Sequence, residues 1–227
     1  MAFGSGSVSF RLFYLQQQYD SSLVDAFARH VAPPIDSLSR DPIHGWVTGR
    51  HLFDRAIADE TCVIGPYLHA QWLRAEKKVP PALLRAYVQM EEDLECRARE
   101  VEFLPRAVRA EVKQRVTDSL LPKMPPTLTS IPVVVDFRND LLVASAMSDK
   151  QIDTLAPAFK ETAGTLPILL TPETAAMRRK QINANDLDPV SFSPDTTLDP
   201  PNEPTLGMDF FTWLWFTWEK EGGVCHL

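Results

Sequence analysis

At 227 residues, with 44% hydrophobic and 23% charged content, the chain is long enough for one large or two small domains and a real core. No stretch approaches the roughly 20 apolar residues of a bilayer span, and the N-terminus MAFGSGSVSF lacks the basic and apolar regions of a secretory signal. The net charge of -7 argues at first sight against a polyanionic partner.

Residues 1 to 6 are small and expected to be flexible. Ser7 to Gln16 alternates Val8, Phe10, Leu12 and Tyr14, which predicts a strand burying that face. Asp20-Ser21-Ser22 caps a helix over Leu23 to Val31, ended by Pro33-Pro34. Ile35 to Asp59 reads as irregular; its His44 and His51 have no third ligand at metal-site spacing and are read as loop histidines. Thr61 to Ile64 and Tyr67 to Lys77 form a hairpin around Gly65-Pro66, its second arm ending in Arg74, Lys77 and Lys78. Trp72 beside those basic residues is read as half-buried packing rather than as a base-stacking platform.

Pro80-Pro81 opens a long helix to about Glu102, with Leu83, Leu84, Tyr87, Met90, Leu94 and Val101 as its apolar face. Its Glu91, Glu92, Asp93 and Glu95 are read as a solvated face rather than as acid–base catalysts. A second helix, Pro105 to Leu121, carries Val108, Val112, Val116 and Leu120 inward and leaves Arg106, Arg109, Lys113 and Arg115 on its surface. Pro122 breaks it, and Lys123 and Met124 follow.

Ser119 to Thr174 organises the chain as a β-β-α-β unit: strand Ile131 to Phe137, turn Arg138-Asn139-Asp140, strand Leu141 to Met147, then a helix from Asp149 to about Ala163. Ser148 caps that helix and Gly164 stops it. A short buried strand, Leu166 to Leu170, precedes a helix opened by Thr171-Pro172-Glu173 and ending in the basic Met177-Arg178-Arg179-Lys180. Asn183 to Pro204 is a Pro-, Asp- and Thr-rich linker. Leu206 to Trp218, LGMDFFTWLWFTW, is apolar all round a helical wheel and needs covering, with Phe211, Trp213, Leu214 and Trp215 as interface candidates. The fold class is therefore α+β, with a part over 7–79, a helical pair plus β-β-α-β unit over 80–182, the linker 183–204 and an aromatic helix in 205–227.

The charge is unevenly placed. Asn183 to Asp209 holds six acids and no Lys or Arg, which leaves the remainder close to neutral. Arg74 to Met124 holds eleven basic residues against nine acidic ones, and a fold can gather such cations on one face. Three widely spaced cysteines, Cys62, Cys96 and Cys225, form no CxxC pair and point to free thiols in the cytoplasm. With nine glycines and no GxGxxG, no nucleotide site is expected, and without a clustered ligand set no metal or other cofactor is expected either.

The phrase SLLPKM followed by IPVVVDFRNDLLVASAMSDKQIDTLAPAFKETAGTLPILLTPET resembles the RdgC family of bacterial recombination-associated DNA-binding proteins. So do SFRLFYL, Gly45-Trp46-Val47, the junction Lys77-Lys78-Val79-Pro80 and the late Phe211-Thr212-Trp213-Leu214, in that order, from Ser7 to about Trp218. The resemblance implies a non-enzymatic α/β protein that pairs into a ring, encircles double-stranded DNA without reading sequence, and restrains the RecA recombinase at the nucleoid. It places a DNA-contacting cation at Lys123 and the bulky apolar neighbour at Met124. It also implies chain beyond the tryptophan-rich segment that this sequence lacks. Arg74, Lys77, Lys78, Arg106, Arg109, Lys113 and Arg115 are DNA-binding candidates on charge alone, with surface ion pairing to nearby acids as the competing assignment. Two other classes remain open. One is a dimerisation or protein-interaction module using Leu206 to Trp218 without DNA binding. The other is a nuclease using Asp136, Asp140 or the His44/His51 pair, against which stands the lack of a clustered ligand set.

Overall fold

The computed structural model describes residues 8–183, Asp186 and the helix over 206–221, with side chains of that helix from 210 to 219. The chain is α+β. The elements are β1 (Arg11–Tyr14), α1 (Leu23–Arg29), β2 (Ile43–Thr48), α2 (Asp59–Cys62), β3 (Val63–Ile64), β4 (Tyr67–Lys77), α3 (Pro81–Arg99) and α4 (Arg106–Leu120). They continue with β5 (Pro126–Asp136), β6 (Leu141–Ala144), α5 (Asp149–Ala163), β7 (Ile168–Leu169), α6 (Pro172–Lys180) and α7 (Leu206–Glu221). Six strands pair antiparallel in the order β2-β4-β5-β6-β1-β7, and β3 pairs with β4.

Pairing register fixes which side chains share a face. Trp46, Trp72 and Ile131 line up across β2, β4 and β5, as Leu68, Val135, Leu142 and Phe13 do across β4, β5, β6 and β1. This face is the core, covered by α1 through Val24 and Phe27 and by α5 through Leu155 and Phe159. Phe27 packs 4.3 Å from the Trp46 ring, and Trp46 meets Trp72 edge-on at 5.0 Å. The buried Trp46 indole donates to Thr162 Oγ1 at 2.7 Å, so this large side chain carries no unmet donor.

The expected face of β1 is buried only at Tyr14, under the Arg178 guanidinium; Val8 and Phe10 lie outside the strand and are exposed, Leu12 is half-buried, and the main core receives Phe13 from the other face. On the Tyr14 side β1 is covered only in part, by α6 through Arg178, so the α1/α5 side holds the main core.

The segment expected to be irregular contains β2. Its Gly45 sits against the chain after α1: a Cβ there would lie 2.5 Å from Ala32 Cα. Ala32 N donates to Trp46 O at 2.9 Å and Trp46 N to His30 O at 2.9 Å, pairing β2 on its outer edge as well. Neither partner is visible from local composition.

The hairpin turns at Gly65 and β4 runs the full eleven residues from Tyr67 to Lys77, but the first arm is only Val63–Ile64, because Thr61 and Cys62 close the helical turn α2. β5 starts at Pro126, five residues ahead of the β-branched run, because β4 pairs with it throughout. The turn after β5 uses Asp140 at positive φ. The Asp136 carboxylate accepts from the N–H of Arg138 (2.9 Å) and Asn139 (3.3 Å) and from Asn139 Nδ2 (2.7 Å). α5 begins at Ser148, whose hydroxyl accepts from Gln151 N, and ends at Gly164 with φ 85.

β7 is an edge strand rather than a buried one. It pairs with β1, and Ile168 is 41% exposed. The linker over 183–204 lies outside the described residues apart from positions 183 and 186.

Candidate nucleic-acid interface

The sheet core does not contain the basic candidates. They lie where β4 and β5 run out to a helical hairpin formed by α3 and α4. That arm has its own small core of Val112, Val116 and Leu120, with Val79, Leu84, Val88 and Val108 against it. The inward face of α3 is therefore Leu84 and Val88. Tyr87, Met90, Leu94 and Val101, expected to face inward, are 41–51% exposed. α4 is short and one-sided and meets only one flank of α3, so the broad apolar stripe of α3 exceeds what α4 can cover.

α4 is polarised about this contact. Arg106, Arg109 and Lys113 are spaced i, i+3, i+7 and share one flank of the helix. Each is exposed, without an ion-pair or hydrogen-bond partner among the described residues. Arg115 lies on the other flank, where its guanidinium meets Glu95 at 3.0 Å and Glu91 at 3.4 Å on α3. Arg115, and after it Arg99, hold the Glu95 carboxyl below the usual carboxylate range. Arg115 thus takes up the surface ion pairing that was the competing assignment for the basic candidates, on the flank opposite the other three.

Lys123 is exposed on the 3-10 turn Leu121–Lys123 at the base of the arm and also lacks a partner among the described residues. Met124 beside it is half-buried. Lys77 lies close by, its Nζ donating to Pro122 O at 3.2 Å. Arg74 and Lys78 project from the opposite side of β4 and share one carboxylate, Glu76, with Arg74 Nη2 at 3.1 Å. The Lys78 ammonium, and behind it Arg74, keep Glu76 ionised below its ordinary pKa, against the opposing effect of burial. One surplus positive charge remains on that group of three. The basic candidates thus divide into the free flank of α4, the base at Lys77 and Lys123, and the Arg74/Lys78 pair.

Trp72 is 7% exposed, more deeply packed than expected, with the His44 ring 5.6 Å away. His44 belongs to β2, not to a loop, whereas His51 lies outside the strands and helices. Among the described residues no group of three or more His, Cys, Asp or Glu is placed to hold a metal ion. Lys150, in the first turn of α5, was not singled out by charge reading and lies near Arg74 and Lys78 across a groove. Its position follows only from the way α5 crosses β4 and β5.

On α7, Phe211, Trp213 and Trp215 are exposed and Leu214 is half-buried. Among the described residues, no helix is long and apolar enough to cross a membrane.

An antiparallel sheet backed by two helices, extended by a helical arm whose one flank is free positive charge, defines an α+β protein with its charged surface set outside its core. The chain belongs to the RdgC family: a family model described as "Putative exonuclease, RdgC" matches residues 12–181, from β1 through α6. None of the curated proteins matches the chain. Membership supports a role in recombination.

Proposed function

We propose that the chain is a non-catalytic, sequence-independent binder of double-stranded DNA acting in recombination and replication, dimeric in ring form, nucleoid-associated and opposed to a RecA-type recombinase. The observation that carries the DNA-binding reading is the flank of α4 whose cations are unpaired among the described residues. Arg106 to Lys113 spans about 10 Å of helix axis at 1.5 Å per residue, roughly three phosphate steps of one DNA strand at 3.4 Å. Such cations release counterions from DNA without reading bases. Family membership adds to this support. The family description also names an exonuclease, but Asp136 is engaged by its own turn and no metal-holding acid group occurs among the described residues. A titration of unrelated duplexes at several salt concentrations, with magnesium or manganese present, tests the reading. Steeply salt-dependent binding without cleavage is expected; divalent-dependent cleavage, or no binding at low salt, would overturn it.

A second reading, a protein-interaction module, is favoured by α7. Five of its aromatic side chains, Phe210, Phe211, Trp215, Phe216 and Trp218, are 47–65% exposed. Such a surface associates in water.

A further inference from the structure

α3 is apolar on two sides. Leu84 and Val88 pack against α4. On the opposite face, Leu83, Tyr87, Met90, Leu94 and Arg97 follow one another at spacings of four, three, four and three residues, the a and d positions of a heptad. Tyr87, Met90 and Leu94 are 41%, 48% and 51% exposed. Val101, whose N–H donates to Cys96 O at 3.0 Å, carries the stripe past the helix end and is 42% exposed. A continuous apolar stripe of this kind is a surface for another helix.

We propose that the stripe seats the same stripe of a second copy of this chain, the two α3 helices running antiparallel about a two-fold axis. Antiparallel helices set a positions against d positions, and an axis midway between Met90 and Leu94 makes the stripe complementary to itself. Met90 of each copy then lies on Leu94 of the other, Leu83 on Val101, and Arg97 on the Tyr87 ring. Charge selects this orientation. Arg97 is exposed and without an ion pair among the described residues, and here its guanidinium meets the face of a ring. A parallel pair in register would set two Arg97 guanidiniums against each other. The 19 residues of α3 are about 28 Å long. Two helices in contact over that length bury on the order of 1,000 Å², the threshold of a specific interface, and join the two hairpins into a four-helix bundle. The seam gives the dimeric form proposed above its surface; it rests on that part of the reading and not on DNA binding.

The test is sedimentation of the full chain at concentrations up to about 100 μM, a range that reads micromolar association. The natural sequence is compared with Leu94→Glu, Tyr87→Lys, and Tyr87→Lys combined with Arg97→Glu, with circular dichroism to confirm the fold. All three positions are exposed, so the arm's own core should be untouched. Leu94→Glu should weaken the dimer about a hundredfold, because the symmetry buries two unpaired carboxylates. Tyr87→Lys should weaken it by setting two cations together, and the added Arg97→Glu should restore it. The two exchanged charges lie about 15 Å apart along one helix, so recovery reports contact between copies. The proposal is overturned by a chain that stays monomeric throughout, by a dimer that Leu94→Glu leaves unchanged, or by a double variant no better than Tyr87→Lys alone. Loss of the dimer on replacing Phe211 and Trp215 by Ser, with Leu94→Glu harmless, would overturn it in favour of α7. A chain that dimerises through the seam without binding duplex keeps the seam and loses the DNA-binding reading; a monomer that binds duplex does the reverse.

Discussion

Replacing Arg106, Arg109 and Lys113 together by Gln isolates the free flank of α4 from every other basic residue. All three side chains are exposed and unpartnered among the described residues, so the arm's own core of Val112, Val116 and Leu120 should be untouched. If each cation neutralises one phosphate, the slope of log K against log salt should flatten by about 0.9 per residue, or about 2.7 for the triple variant. Over a fourfold rise in salt, that slope amounts to about a fortyfold loss of affinity that the natural chain suffers and the variant escapes. The assay is fluorescence anisotropy on a labelled duplex at three or more salt concentrations, with circular dichroism to confirm the fold. Arg115→Gln is the internal control, because Glu91 and Glu95 already hold that guanidinium. It should leave the slope unchanged. An unchanged slope in the triple variant, or an equal effect from Arg115→Gln, would refute the division of α4 into a free and a spent flank.

Four further outcomes follow from the geometry. Asp136→Ala should destabilise the fold by about 1–2 kcal/mol in a denaturant melt, since it removes the acceptor of three turn hydrogen bonds. Burial raises the Asp136 pKa, but those bonds outweigh it and leave it below the ordinary 3.8, so its folded state favours the ionised form. The stability it contributes is therefore full above pH 3.8 and is lost as pH falls through the lower folded value; a stability–pH profile of wild type against Asp136→Asn reads it. Gly45→Ala should cost about 1–3 kcal/mol by overpacking, because the new methyl meets Ala32 backbone rather than a movable side chain. In a thermal melt that is about 2–4 °C per kcal/mol for a chain of this size. Replacing Phe211 and Trp215 by Ser should weaken self-association in sedimentation measurements, and an unchanged mass would remove α7 from any interface.

The parts of the fold that announce themselves locally were legible. The cap at Ser148 with its stop at Gly164, the valines of α4 at four-residue spacing and the turn residues after Asp136 each carry their own punctuation. What failed had a non-local cause. β2 is a strand because β4 and the chain at His30 and Ala32 lie on its two sides, and nothing in Ile43–Thr48 encodes those neighbours. The same holds for β1: the alternation is in the sequence, but which residues are buried depends on where α1, α5 and α6 land. The site was legible to a similar degree. Composition identified the basic residues, whereas their pairing state, which separates Arg115 from Arg109, depends on how far α3 brings Glu91 and Glu95 across.

That distinction bears on the apparent conflict between an acidic chain and the polyanionic partner proposed for it. Net charge sums over residues that a duplex never approaches together, and the screening length of about 8 Å at physiological salt makes only nearby charges count. Six of the acids fall in the sequence run from Asn183 to Asp209, while Glu91 and Glu95 are paired with Arg115. The free flank of α4 and the base at Lys123 therefore present positive potential that the total of -7 conceals. Under the proposed function, affinity for DNA is set locally by the charges of the arm rather than by the total. Moving charges between those two regions at constant net charge should then change DNA affinity, and changing net charge far from the arm should not.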